Sequence, residues 1–420
     1  MSMKKNLIGI TILAVAISAC KKDDQYDISN FKSDIEIVFN GTTATVTGDT
    51  NGFISVNGAD VTVNGANNTT TNMTITLSGS TSEGSLLIYN IRSGTLVLNG
   101  VSITNSDGPA INNQSNKALY INLADGTTNT LTDGSTYAQA PVNAKGDTID
   151  QKATLFSEGQ VYFRGNGTLN INANAKNGIA SDDYVVIESG NINISVSSTG
   201  SNGLKVNDGV TIKSGTLNID VKADGARGIK NDARTTIEGG TTTITSSGGC
   251  KIETVDGVTD TTSCAGIKSD SLLLVSGGVV NIVSTGDGGK GINCSLNYEQ
   301  TGGTLYVTTS GTKVVSKPHG IKADGDIIFT GGEAYVASTR KAFNCDGSLL
   351  FNGGTIMGIG KKVSTPSTNS TQAFKSYDED DEINAIGGQT LTVNGISYTI
   401  PSIYTCYGAY IVVSSSSLSN

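Results

Sequence analysis

Apolar and polar residues alternate with a period of two along most of this chain, in short runs rich in Ile, Val, Thr and Asn and broken by Gly. That period belongs to strands; helices would place apolar residues at 3.6 spacing. Within residues 178–346 the alternation is punctuated by a recurring Gly-Ile-x-x-Asp. Copies begin at Gly178, Gly203, Gly228, Gly266, Gly291 and Gly320, with a worn copy at Ala342-Phe343-Asn344-Cys345-Asp346; the starts lie 25, 25, 38, 25, 29 and 22 residues apart. Between copies runs a second motif, an apolar run, a Ser-Gly or Gly-Gly step and another apolar run, as in Leu273-Leu274-Val275-Ser276-Gly277-Gly278-Val279-Val280-Asn281-Ile282. A fixed period in this range marks a solenoid whose units bury their apolar faces by stacking. A 25-residue unit holds three short strands and their bends, so the expected fold is all-β: a parallel β-helix.

Alternation assigns the faces. With the repeat Gly as position zero, position one carries Ile179, Leu204, Ile229, Ile267, Ile292, Ile321 and Phe343, an inward aliphatic stack. Position three is mostly small and also inward, with Asn231 the larger polar exception. Positions two and four then point outward. They place Lys205, Lys230, Lys268 and Lys322 in one column, and Asp182, Asn207, Asp232, Asp270, Asp324 and Asp346 in another. Three residues after each Gly pair lies a further outward column: Asn193, Asn218, Thr243, Asn281, Tyr306 and Tyr335.

The solenoid is expected over residues 35–360, with looser first coils and an N-terminal cap before residue 165, and a C-terminal cap over 361–420. Ahead of it, residues 1–19 read as a signal peptide: a basic start, a short apolar run from Leu7 to Ile17, and small residues. The tetrad Ile17-Ser18-Ala19-Cys20 resembles a bacterial lipobox. It implies a lipid on Cys20 and a charged tether over 20–34, hence an outer-membrane or cell-surface lipoprotein.

Composition narrows the partners. The 420 residues include 53 Gly, no Trp and a single His, and the net charge is -9. An acidic chain disfavours nucleic acid and an anionic lipid surface as ligands, and permits cations and glycans. No oligomer is expected. Besides Cys20 there are five cysteines. Cys250 and Cys264 flank the insertion that lengthens one repeat to 38, and a disulfide between them is plausible in an oxidising compartment. Cys294 and Cys345 fall two coils apart, beyond disulfide reach, as core filler.

The carboxylate column offers oxygens for calcium, a hard cation that takes six to eight of them; the plainer reading pairs each Asp with a neighbouring Lys. Asp224 and Asp287, four residues before the repeat Gly, add oxygens on two coils. Zinc is disfavoured because His319, read as an exposed turn residue, stands alone. The Lys column compensates charge, docks uronate carboxylates or sugar hydroxyls, or supplies a general base. Tyr306 and Tyr335, on successive coils, are candidates to stack a sugar ring.

These repeats resemble a family of secreted bacterial proteins described as carbohydrate-binding domain-containing, which implies that the parallel β-helix is right-handed. So do the block Gly108-Pro109-Ala110-Ile111 through Leu123–Ser135 and the closing Tyr410–Ser415. The resemblance implies binding of cellulose-like or acidic plant polysaccharide, bound calcium, and a fold close to calcium-dependent polysaccharide lyases; by motif it places calcium at Asp182, Asp232, Asp270 and Asp324. The leading expectation is a calcium-bearing surface lipoprotein that binds polysaccharide, with Lys205, Lys230, Lys268, Lys322, Tyr306 and Tyr335 as ligand contacts. One alternative is a lyase acting by β-elimination on uronates, with Lys230 or Lys268 as base. The other is an adhesive solenoid with no glycan ligand.

Overall fold

The computed structural model describes residues 35–65, 72–143 and 146–419. The leader and Cys20 lie outside the described residues. The chain winds as a parallel β-solenoid of about 12 turns. Each regular coil supplies three short strands. The first, exemplified by Arg227–Asn231, joins a 12-stranded sheet; the second and third, such as Thr235–Ile237 and Thr241–Ser246, lie in a 22-stranded sheet. These are columns one, two and three below.

The predicted faces are present rung by rung. Ile179, Leu204, Ile229, Ile267, Ile292, Ile321 and Phe343 stand in one parallel register and are all buried. Burying each such side chain contributes about 1.5–3 kcal/mol, which a lone coil with both flanks open could not collect. Asn231, the polar exception, is fully buried, and its Nδ2 donates to Arg234 O at 2.8 Å and Thr235 Oγ1 at 3.0 Å. That satisfies a group which would otherwise cost about 1–3 kcal/mol.

The repeat glycines are required by a close approach. A Cβ on Gly228 would lie 2.3 Å from Ile244 Cγ2 across the core and 2.6 Å from Gly266 O on the next coil. Two successive residues, the Gly and the following Ile, therefore face inward where column three turns into column one.

Two expectations are corrected at or near this corner. The long insertion is an antiparallel hairpin, Lys251–Val255 with Val258–Thr262. It does not join Cys250 to Cys264: both thiols are free. Cys264 turns into the core and its Sγ donates to Gly249 O at 2.7 Å, whereas Cys250 stays half-exposed. Nor is His319 an exposed turn residue: it begins the strand His319–Ala323 and is 4% exposed. Cys294 is buried in register with Ala323 and then Cys345, as core filler.

Both ends are closed against strand addition. The hairpin Ile35–Asn40/Thr43–Thr47 lies antiparallel at the start. At the other end Tyr410–Ser414 pairs antiparallel with both Leu349–Gly360 and Phe374–Tyr377. The hairpin Thr390–Val393/Ile396–Thr399 turns at Asn394-Gly395, both with positive φ, and packs Val393, Ile396 and Tyr398 with Met357 and Ile359 of the last coil. The C-terminal segment thus lies on the outer face of column three and becomes one wall of the site described next.

Candidate functional site

Column three carries an unbroken outward row. Asn170, Asn193, Asn218, Thr243, Asn281, Tyr306 and Tyr335 stand in register on successive coils. Adjacent coils are about 4.8 Å apart, so neighbouring amides reach each other. Asn218 Nδ2 donates to Asn193 Oδ1 at 2.8 Å, and Asn193 Nδ2 to Asn170 Oδ1 at 2.9 Å. Each amide has a second N–H and a second lone pair available to a ligand. This stretch, with Asn172, Ser195, Asp220 and Thr245, lines a shallow groove of about 440 Å³.

Further along the same row a second hollow, of about 520 Å³, lies between Asn281, Tyr306 and Tyr335 on the solenoid and Ser397, Tyr398 and Thr399 on the C-terminal hairpin. Tyr306 and Tyr335 stack with centroids 5.4 Å apart and planes 12° apart; Tyr398 packs parallel to both at 6.3 and 5.2 Å. One face of Tyr306 is thereby covered by Tyr335, and the other looks along the row toward Asn281. Burial pushes the Tyr398 phenol up to about 12. Burial, then Glu333, raises that of Tyr335. Both hydroxyls keep their protons at neutral pH, and that of Tyr335 points to Glu333 Oε2 at 3.5 Å.

The Lys and Asp columns lie on column one. Lys205, Lys230 and Lys268 are in register, followed by Asn293 and Lys322. Their ammonium groups are engaged by the aspartates: Lys205 with Asp232, Lys230 with Asp232 and Asp270, Lys268 with Asp270, and Lys322 with Asp324. Burial alone would raise the Asp270 carboxyl; hydrogen bonds from Lys230 and Lys268 hold it well below the usual carboxylate range. This face neutralises itself. Asp224 and Asp287 are likewise occupied, accepting backbone N–H groups of Gly249 and Thr312 at 2.7 and 2.8 Å. Asp182 differs, since it gathers with Asp150 and Glu158, their oxygens within 4.8 Å of one another. Lys152 bridges Asp150 and Asp182 at 2.6 and 2.5 Å.

Sequence reasoning found the row from Asn193 to Tyr335 but missed Tyr398, Ser397 and Thr399. An Asn-Gly step between alternating runs marks a hairpin; nothing local says that it docks beside Tyr335. Asp150 and Glu158 were missed because they lie in the irregular stretch before the repeats.

Fold and site together define a β-solenoid with a long open groove lined by amides, hydroxyls and tyrosines, a form suited to an extended, hydroxyl-rich polymer. The chain belongs to the carbohydrate-binding domain-containing protein family, whose model matches residues 57–227 and 220–313. A relative of that name from Acetivibrio thermocellus is 35% identical over 118 residues, 27% of this chain; the match spans 40% of the relative's length. A solved structure of a polysaccharide lyase-like protein from C. thermocellum, a gadolinium derivative, is 25% identical with a TM-score of 0.45, covering 70% of this chain and 96% of that one.

Proposed function

We propose that this protein binds polysaccharide along the column-three groove, the glycan chain running parallel to the solenoid axis. The observation that carries the reading is the in-register row ending at Tyr306, Tyr335 and Tyr398. Coils about 4.8 Å apart offer one polar contact per rung to a polymer of repeating hydroxyls. The free face of Tyr306 takes the C–H face of one sugar ring, and the Asn amides take its neighbours' hydroxyls. Retardation in gels containing hydroxyethyl cellulose or polygalacturonate, and co-sedimentation with insoluble cellulose, test it. Wild type is expected to bind and Tyr306→Ala/Tyr335→Ala to bind at least tenfold more weakly. No retention on any glycan would favour the adhesive reading.

The lyase alternative draws no support from the lysines named for it. Lys230 and Lys268 spend their charge on Asp232 and Asp270. Unsaturated uronate appearing by ultraviolet absorbance, and lost in Lys268→Ala, would restore it. For calcium, the donor set that fits is Asp150, Glu158 and Asp182, whose carboxylates offer up to six oxygens; an ion there would clamp adjacent coils in place of Lys152. A rise in melting temperature with calcium chloride, absent in Asp182→Asn, tests this. Lipidation of Cys20 and surface display complete the proposal, and loss of fatty-acid labelling in Cys20→Ala tests them.

A further inference from the structure

Where column three turns into column one, the last four coils carry Lys290, then Lys317, then Arg340 and Lys341, then Lys361 and Lys362. None of these six makes an ion pair among the described residues, whereas the lysines of the neighbouring Lys–Asp face are all paired. In a chain of net charge -9 this is a local excess of cation.

The concentration is costly at its base. Lys290 is 8% exposed; its Nζ donates to Ser316 Oγ at 2.8 Å, and Ser316 Oγ donates onward to Gly288 O at 2.7 Å. An ammonium carries three donors, and a buried one without a counter-charge is expensive. Burial, with Lys322 and Arg227 nearby, brings its pKa down to about 8. His319, on the next rung, has a buried Nδ1 with no partner, and the Arg340 Nε is buried likewise. Burial and then Lys290, Arg340, Lys341 and Lys317 pull the imidazole down to about 3. Each of those charged neighbours is positive. Above this base Lys317, Lys361 and Lys362 are exposed, and Arg340 and Lys341 half-exposed.

We infer that this ridge is a second binding site, for the carboxylate or sulfate groups of an anionic glycan lying along the corner. The inference rests on the carbohydrate reading above and moves acid recognition off the Lys–Asp face, where the sequence suggested it, to the unpaired cations. Nucleic acid is the other polyanion with spaced charges, and the acidic balance of the whole chain disfavours it.

The test is gel retardation of the full chain by polygalacturonate, hydroxyethyl cellulose and duplex DNA over a salt series, comparing wild type with Lys317→Ala/Lys341→Ala and Lys361→Ala/Lys362→Ala. These side chains are outside the buried base, and melting curves confirm folding. Polygalacturonate affinity is expected to fall at least tenfold in the first variant, with a shallower salt dependence, while hydroxyethyl cellulose retardation is unchanged. Unchanged polygalacturonate affinity in both variants, or tighter binding of DNA than of polygalacturonate, overturns the ridge site. Neutral-glucan binding without any polygalacturonate binding also overturns it and leaves the groove reading standing; binding of neither glycan removes the groove reading as well.

Discussion

Tyr306 and Tyr335 lie face to face on consecutive coils, so the two rings are not equivalent to a ligand. Tyr335 stands between Tyr306 and Met357 in the row, with Tyr398 packed against both tyrosines and closer to Tyr335, whereas Tyr306 has Asn281 as its neighbour on the other side. Tyr306→Ala is therefore expected to lower glucan affinity about tenfold, or about 1.4 kcal/mol. Tyr335→Ala, which removes the support rather than the contact, is expected to lower it less. Tyr306→Phe should retain most of the affinity. Titration of the three variants against a soluble glucan checks the order, and equal losses from Tyr306 and Tyr335 would mean that both rings meet the sugar.

The amide row makes a second, separable contribution. Asn193 both donates to Asn170 and accepts from Asn218. Asn193→Ala breaks the chain on both sides, with a stability cost of about 1 kcal/mol and a weaker hold on the ligand. Asn193→Asp keeps the acceptor and loses the donors. It should bind a neutral glucan about as poorly as the alanine variant if donation to sugar oxygens matters, which calorimetry on the pair reads directly.

The repeat glycine was legible in the sequence; its reason was not. Period-two patterning and a fixed repeat are local, so the inward stack from Ile179 to Phe343 and the outward Lys, Asp and Asn rows could be read from residue order. What one coil does to another element could not. The contact that demands Gly228 is with Ile244, on the third strand of the same coil and across the core. Tyr398 reaches the groove only because the C-terminal hairpin docks there. His319 looked like a turn residue beside a glycine and is buried on the first strand of its coil. Gly228→Ala, with its Cβ 2.3 Å from Ile244 Cγ2, is expected to cost about 1–3 kcal/mol by overpacking. Combined with Ile244→Ala, which removes the Cγ2 methyl that a valine would keep, it should cost less than the sum of the two single substitutions in denaturant melts.

On the Lys–Asp face, Lys230 is the shared member, touching Asp232 and Asp270 with its side chain 14% exposed. Lys230→Met is expected to cost about 1 kcal/mol at neutral pH and low salt. The depressed Asp270 carboxyl fixes the sign of the pH dependence. Its stabilisation is present above the unfolded value near 4 and is lost as pH falls below it. The difference between wild type and Lys230→Met should therefore shrink below pH 4, and in 1 M salt. A difference that persists under both conditions would assign the loss to packing of the lysine stem.

His319 offers a cleaner titration, since it is the chain's single histidine. The unfolded chain takes up a proton near pH 6.5, whereas the folded protein refuses it until about 3. Between these values the unfolded state binds more protons, so stability falls as pH falls, by up to about 1.4 kcal/mol per pH unit. Glu158 and Asp133 run the other way, because burial raises their carboxyls and favours the folded state as pH drops. The histidine contribution is thus the difference between wild type and His319→Gln, not the raw slope. Melting temperatures from pH 4.5 to 7.5 should show His319→Gln losing less stability on acidification than wild type. If the ridge holds an anion, polygalacturonate should narrow that gap in wild type, since a bound carboxylate makes imidazolium tolerable beside Lys290 and Lys341.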